Sequence, residues 1–242
     1  MKHQAPPFLS EEGRNLKMSK KNDYIFQQIK KAAIESLKHP GKAKKPLPKT
    51  ESEKDSVIYV FRHTETHDNK NRIFSGRRNP KLTLRGKKQA LKLARMLENK
   101  QIDIGFSGAS GRCKKTLEIV LKPHKNVKTK ITKDLLERDY GKLTGESKLL
   151  WMKKAPELTI KYRRAWDFPP PGGESLKAVK KRVFPFCKRL VKMAKRKRLG
   201  IAICGTGNTV KLMRMYFERL PIIKALTAES PFGDYASYVV KL

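Results

Sequence analysis

Val57-Ile58-Tyr59-Val60-Phe61-Arg62-His63-Thr64-Glu65-Thr66 is the stretch on which the fold turns. Five apolar residues, mostly β-branched or aromatic, are too few for a helix and read as a buried strand. The strand runs straight into Arg62-His63. Downstream the pattern alternates. Leu84, Ala90, Leu91, Leu93, Ala94 and Leu97 recur at helical spacing over 83–97, with Thr83 placed to cap the helix N-terminus. A strand is expected at 102–106, a helix at 110–121 and a short strand at 129–132. A long helix at 175–194 precedes a strand at 199–204. A helix over 208–220 and a closing strand at 238–241 complete the chain. This order predicts an α/β fold, a three-layer sandwich with a mostly parallel central sheet flanked by helices. Such sheets bind ligands at the carboxyl ends of their strands, where Arg62 and His63 stand.

Two parts are expected, a basic extension over 1–55 and the α/β domain over 56–242. The extension carries Pro6, Pro7, Pro40, Pro46 and Pro48, with Tyr24, Ile25, Ile29, Ala33 and Leu37 at helical spacing. That predicts one amphipathic helix around 22–38 and a basic, proline-punctuated linker over 40–54, neither belonging to the domain fold. Glu11, Glu12 and Asp23 argue against a transit peptide, and no apolar segment suits a secretory signal. No apolar run approaches 18 residues, so no membrane-spanning helix is expected. The 3 cysteines, Cys113, Cys187 and Cys204, form no C-x-x-C pair, which argues against a disulfide framework or a zinc site. The histidines lack metal-ligand spacing, and no metal is expected.

The motifs after the first strand resemble the histidine phosphatase superfamily, in particular its cofactor-dependent phosphoglycerate mutase branch. Arg62-His63-Thr64-Glu65-Thr66 is similar to that family's R-H-G-E-[ST] signature, followed by Asn69. Phe74-Ser75-Gly76, Leu82-Thr83 with Gly86, Ser107 with Arg112 and Thr116, and Glu137-Arg138-Asp139-Tyr140-Gly141 continue the likeness. So do Gly173-Glu174-Ser175-Leu176 and Arg182-Val183 with Pro185. The resemblance implies a catalytic set of His63 as phosphoryl acceptor, Arg62 and Arg112 on the phosphoryl oxygens, and Glu137 as general acid and base. It implies substrate contacts from Asn69, Tyr140, Lys148, Arg163, Arg164 and Asn208. It also implies 2,3-bisphosphoglycerate as cofactor if the chain is active as a mutase, and no cofactor otherwise.

The sequence departs from the family at Gly205-Thr206-Gly207-Asn208-Thr209, where Thr206 stands at the position of the second catalytic histidine. Thr64 replaces the glycine beside His63, and Lys211 stands where many mutases have arginine. A threonine hydroxyl cannot carry positive charge, so the departure favours a domain that has lost catalysis. The charge suggests what it could do instead. Lys and Arg number 57 against 22 Asp and Glu, a formal net charge of +35. A soluble domain ordinarily carries roughly 2–8 charges of either sign, and a larger excess repels itself without a polyanion. RNA is the leading expected partner, an anionic membrane surface the weaker one. Lys188, Arg189, Lys192, Lys195, Arg196, Lys197 and Arg198 are the expected phosphate contacts. The first expectation is therefore a pseudoenzyme acting as a structural, RNA-contacting part of a ribonucleoprotein. The host would be an organellar, mitochondrial ribosome with its ribosomal RNA and neighbouring proteins, or else a cytoplasmic assembly. The alternative is an active phosphoglycerate mutase or histidine-type phosphomonoesterase working through phospho-His63. A third possibility keeps the pocket as a phospholigand sensor without turnover.

Overall fold

The computed structural model describes residues 20–43 and 45–241, with side chains from Tyr24 onward. In chain order the elements are α1 (Lys20–Lys38), β1 (Ser56–Arg62), α2 (His67–Lys70), α3 (Leu84–Leu97), β2 (Ile104–Gly108), α4 (Gly111–Leu121) and β3 (Lys128–Thr132). They continue with α5 (Lys148–Lys154), α6 (Pro156–Arg164), α7 (Leu176–Lys197), β4 (Gly200–Gly205), α8 (Gly207–Phe217), α9 (Ile222–Thr227) and β5 (Tyr235–Val240). The strands form one sheet in the order β3-β2-β4-β1-β5. Neighbouring strands are parallel except for β5, which runs antiparallel along β1.

Alternation along the central strands builds the three layers. Ile58 and Val60 of β1, with Ile201 and Ile203 of β4, face Val179, Val183, Phe186 and Leu190 of α7 and Val210 of α8. Val57, Tyr59 and Phe61, with Ala202 and Cys204, face Leu93 and Leu97 of α3 and Leu117 and Val120 of α4. Period-two side chains thus divide one strand between two cores, and each core needs a helical layer to cover it. Thr83 caps α3 by accepting from the Gly86 amide at 2.9 Å, and its own hydroxyl donates to the Glu65 carboxylate at 2.8 Å. Gly86 is required there, because a Cβ would lie 2.1 Å from the Glu65 carbonyl oxygen. The first turn of α3 is in this way clamped against the segment that follows β1.

The last strand is longer than expected. β5 begins at Tyr235, and the small residues Ala236 and Ser237 hide its start from hydrophobic patterning. The helices α5, α6 and α9 are too short, at six to nine residues, to show a period.

The extension differs more. The helix expected around 22–38 is α1, but it does not stand apart from the domain. Ile29 and Ala33 pack with Ile160, Leu176 and Leu226, closing a third cluster. Leu47, expected in a linker, lies in the same core as Ile58 and Val60. Thr50 and Ser237 exchange two side-chain hydrogen bonds, Thr50 Oγ1 to the Ser237 carbonyl at 2.9 Å and Ser237 Oγ to the Thr50 carbonyl at 2.8 Å. The expectation that residues 1–55 lie outside the fold is corrected over the described part, because the apolar stripe of α1 finds a complementary apolar surface on α6 and α9. Ile29→Ala is accordingly expected to cost about 2–4 kcal/mol, the usual price of an aliphatic truncation in a core. Denaturant unfolding of the full chain measures it. A change below about 0.5 kcal/mol, typical of surface positions, would place α1 off the domain.

Candidate active site

The parallel register of β1 and β4 sets Arg62 opposite Gly205, and the His63 amide donates to the Gly205 carbonyl at 2.9 Å. The chain leaves both strands at the same edge of the sheet. His63 follows one strand, and Thr206-Gly207-Asn208 opens α8 after the other. Arg112 enters from the first turn of α4, and Glu137 from the loop after β3. A single cavity of about 130 Å³ is lined by His63, Arg62, Arg112 and Glu137 together with Asn69 and Tyr140. Lys148, Arg163, Arg164 and Asn208 line it as well. The structure therefore brings together every pocket residue expected from the motifs except Thr206.

His63 is buried, and its Nδ1 lies 2.9 Å from the Thr64 carbonyl oxygen. A carbonyl can only accept, so Nδ1 carries the proton and Nε2 keeps its lone pair. Burial holds the imidazole well below its ordinary pKa, and Arg112 and Arg62 add to this by repelling a charged ring. The ring is therefore neutral across the physiological range. Arg112 is fixed by two backbone carbonyls, of Arg78 at 2.5 Å and Gly76 at 2.9 Å. The Nε atoms of Arg62 and Arg112 are both buried without a hydrogen-bond partner. The Arg62 guanidinium carbon also lies over the Phe232 ring, 4.5 Å from its centroid. The Glu137 carboxylate accepts from the Arg138 amide at 2.8 Å and from the Asn208 side chain at 3.0 Å. Asn208 reaches the Tyr140 hydroxyl at 3.3 Å, which ties three of the lining residues together.

Thr206 is placed differently from its motif position. It is fully buried at the N-cap of α8, its hydroxyl lies 3.0 Å from that of Thr209, and it is not among the lining residues. The side chain turns back into the helix end and supplies no group to the cavity. Besides Lys211, noted only as a departure from the motif, two lining residues carry charge that the motifs did not assign to the pocket, Arg72 and Glu229. Neither has a local pattern that marks it. Arg72 follows α2, and Glu229 lies between α9 and β5, so only the tertiary fold brings them in. The basic cluster at the end of α7 lies outside the pocket. Lys188, Lys192, Lys195, Arg196 and Lys197 are exposed there, Arg189 pairs with Asp134 at 2.6 Å, and Arg198 donates to the Glu53 carbonyl.

Seven basic side chains line the cavity against two acidic ones, Glu137 and Glu229. Burial opposes ionisation of Glu229, but Arg164, Lys211 and Arg62 outweigh it and hold the carboxyl below its usual range. Burial lowers the Lys211 ammonium well below its ordinary pKa, with Arg164 adding repulsion. Burial brings Lys148 down to about 7, again with help from Arg163 and Arg62. Cations crowded out of water in this way are stabilised by an anion. Lys148 is charged below about pH 7 and neutral above it, so an anion binds best to the form present at low pH. Affinity for sulfate, whose own charge stays constant, is expected to fall about tenfold between pH 6 and pH 8. Calorimetric titration measures the dependence, and Lys148→Met should flatten it. An unchanged slope in that variant would remove Lys148 from the anion site.

A histidine and convergent guanidinium groups at the carboxyl ends of parallel strands define an α/β protein whose pocket has the charge to suit an anion beside a neutral imidazole. Sequence comparison makes the class specific. Residues 58–240 match the model of the histidine phosphatase superfamily (branch 1), and the chain belongs to that superfamily. A 2,3-bisphosphoglycerate-dependent phosphoglycerate mutase of Parvibaculum lavamentivorans is 31% identical over 170 residues, covering 68% of this chain and 81% of the relative. A phosphoglycerate mutase of Schizosaccharomyces pombe is 33% identical over 171 residues, with the same coverage of 68% and 81%. Among solved structures, a mycobacterial glucosyl-3-phosphoglycerate phosphatase superposes with a TM-score of 0.67 at 19% identity, over 75% of this chain and 90% of that one. The α-ribazole phosphatase of Shigella flexneri gives 0.66 at 21%, over 77% and 94%. These structural likenesses concern the fold.

Proposed function

We propose that the protein transfers or hydrolyses the phosphoryl group of an anionic phosphomonoester through phospho-His63. The observation that carries this reading is the imidazole itself, neutral and tautomerically fixed with Nε2 free, in the cavity that Arg62 and Arg112 also line. The Nε2 lone pair attacks phosphorus, the P–O ester bond breaks, and the leaving oxygen takes a proton from the Glu137 carboxyl group. Water then attacks the phosphorus of phospho-His63, Glu137 takes its proton, and the P–N bond breaks to release orthophosphate. Arg62 and Arg112 hold the transferred oxygens throughout, a task suited to the planar guanidinium. The family relatives named as mutases support a catalytic reading over a pseudoenzyme. For the mutase form, the excess of cations suits a doubly phosphorylated ligand such as 2,3-bisphosphoglycerate, which would supply the priming phosphoryl group. Incubation with 3-phosphoglycerate and with other phosphomonoesters, without bisphosphoglycerate, tests the reading. Orthophosphate release that depends on His63 supports it, and stimulation by 2,3-bisphosphoglycerate assigns the mutase form. No turnover of any phosphomonoester under either condition refutes it.

A second reading concerns the surface and rests on the exposed lysines and arginines at the end of α7. With a net charge of +35, the chain suits a polyanion such as RNA held through its phosphates, in a ribonucleoprotein or free. Binding of a single-stranded RNA should then weaken steeply with salt, with a slope of about −0.7 per phosphate contacted. Replacement of Lys195, Arg196, Lys197 and Arg198 by Gln should flatten that slope. Salt-insensitive binding, or an unchanged slope in the variant, would leave the patch as solvated surface.

A further inference from the structure

The cavity has a wall that the motifs do not describe. Ser36, Leu37, Pro40 and Gly41, at the end of α1 and in the turn after it, line it together with His63. The wall is fastened by the pocket's own arginines. Arg163 donates to the Ala33 carbonyl at 2.9 Å and to the Ser36 hydroxyl at 2.8 Å. Arg72 donates from Nε to the Leu37 carbonyl at 3.2 Å. The Leu37 carbonyl belongs to the last turn of α1, where the backbone dipole carries partial negative charge that a guanidinium matches. Arg163, expected from the motifs to hold substrate, is thus engaged by the chain itself. Gly41 completes the fastening. It adopts φ +72°, its carbonyl accepts from the Phe232 amide at 2.9 Å, and a Cβ there would fall 1.9 Å from the Phe232 ring. The same ring stacks on Arg62.

Resting on the reading of His63 as a phosphoryl site, we propose that the end of α1 is a built-in cap that limits the site to small phosphomonoesters. The phosphoryl group has Arg62, Arg112 and His63 at one end, while α1 occupies the side on which Arg163 and Arg72 would otherwise face the rest of the substrate. What remains is about 130 Å³, below the roughly 300–1,000 Å³ of pockets that enclose drug-sized ligands. A few-atom acid or alcohol attached to phosphate fits that space, whereas a rigid aryl group beside the phosphate would press on the wall made by α1.

The test compares two anions that cannot react, methylphosphonate and phenylphosphonate, by calorimetric titration of the full chain. Wild type is expected to bind methylphosphonate at least about tenfold more tightly, since the phenyl ring overfills the space that α1 leaves. Gly41→Ala forces the turn off Phe232, and Ser36→Ala combined with Arg72→Gln loosens the other end of the cap. In both variants the preference should shrink below about threefold, mainly through tighter phenylphosphonate binding. Any loss at the phosphoryl end affects both ligands and cancels in the ratio. The two variants disturb different contacts, so one remains informative if the other does not fold, and circular dichroism identifies which. Equal affinities in wild type, no binding of either anion, or an unchanged ratio in a folded variant would overturn the cap. Size-selective binding without phosphorylation of His63 would keep the cap and remove the catalytic reading, so the two failures are distinguishable.

Discussion

His63→Asn is expected to reduce phosphomonoester turnover by at least about 10³-fold, the scale seen when a covalent nucleophile is removed. Binding should be spared. The imidazole is neutral in the pocket, because burial and the two arginines disfavour its charged form, so an uncharged amide leaves the field at the anion nearly unchanged. Affinity for sulfate or methylphosphonate should stay within about fivefold of wild type, or about 1 kcal/mol. A large loss of turnover with retained binding separates a nucleophile from a residue that merely shapes the cavity. Comparable losses of both would give His63 a structural role, and retained turnover would move the chemistry to another group.

Thr206→His should act in the opposite direction. One preorganised donor to a transferred group contributes on the order of 10²–10³ in rate, and the wild-type chain lacks that donor because the Thr206 hydroxyl faces Thr209. Restoring an imidazole should therefore raise turnover by about 10²-fold or more, provided the ring reaches the cavity. The same substitution removes the N-cap residue of α8, so stability should fall by about 1 kcal/mol. Faster turnover with a lower unfolding midpoint is the combined signature. A variant that is less stable and no faster would mean that Gly207 and Asn208 already fill the space.

The sheet and its ligand edge are legible from the sequence because the strands are short apolar runs bounded by turns, and the helices that cover them keep a clean period. Arg62, His63, Arg112 and Glu137 are legible for a different reason, since each sits in a local motif, at the end of a strand, at the start of a helix or, for Glu137, in the loop after β3. The wall made by α1 is not. Its apolar stripe announces a helix but not its docking site, and Arg163 looks from sequence like a ligand for substrate, although its guanidinium is engaged by the Ala33 carbonyl. Leu47 and Thr50 show the same limit, since a proline-rich, basic stretch reads as linker until β5 offers Ser237 as a partner. Thr206 is visible in the sequence as a departure, and its N-cap position in α8 gives threonine a structural reason to stand there. Ser, Thr, Asn and Asp are favoured at that position for their own sake.

The basic surface and the pocket need not serve one purpose. Lys148 and Lys211 are lowered by burial among other cations, a situation that arises from the pocket and not from the overall charge. The exposed residues at the end of α7 lie outside that cavity and contribute to any polyanion contact independently. Loss of RNA binding in the quadruple α7 variant should accordingly leave phosphomonoester turnover unchanged.

The most direct measurement is the phosphorylation state of His63 after brief incubation of the full chain with a ³²P-labelled phosphomonoester, quenched in alkali. The account predicts acid-labile, alkali-stable label on the peptide containing His63, formed in wild type, absent in His63→Asn, and lost on a chase with unlabelled substrate. Phosphate released with no labelled intermediate, label on any other residue, or label that the His63→Asn variant still acquires would contradict it.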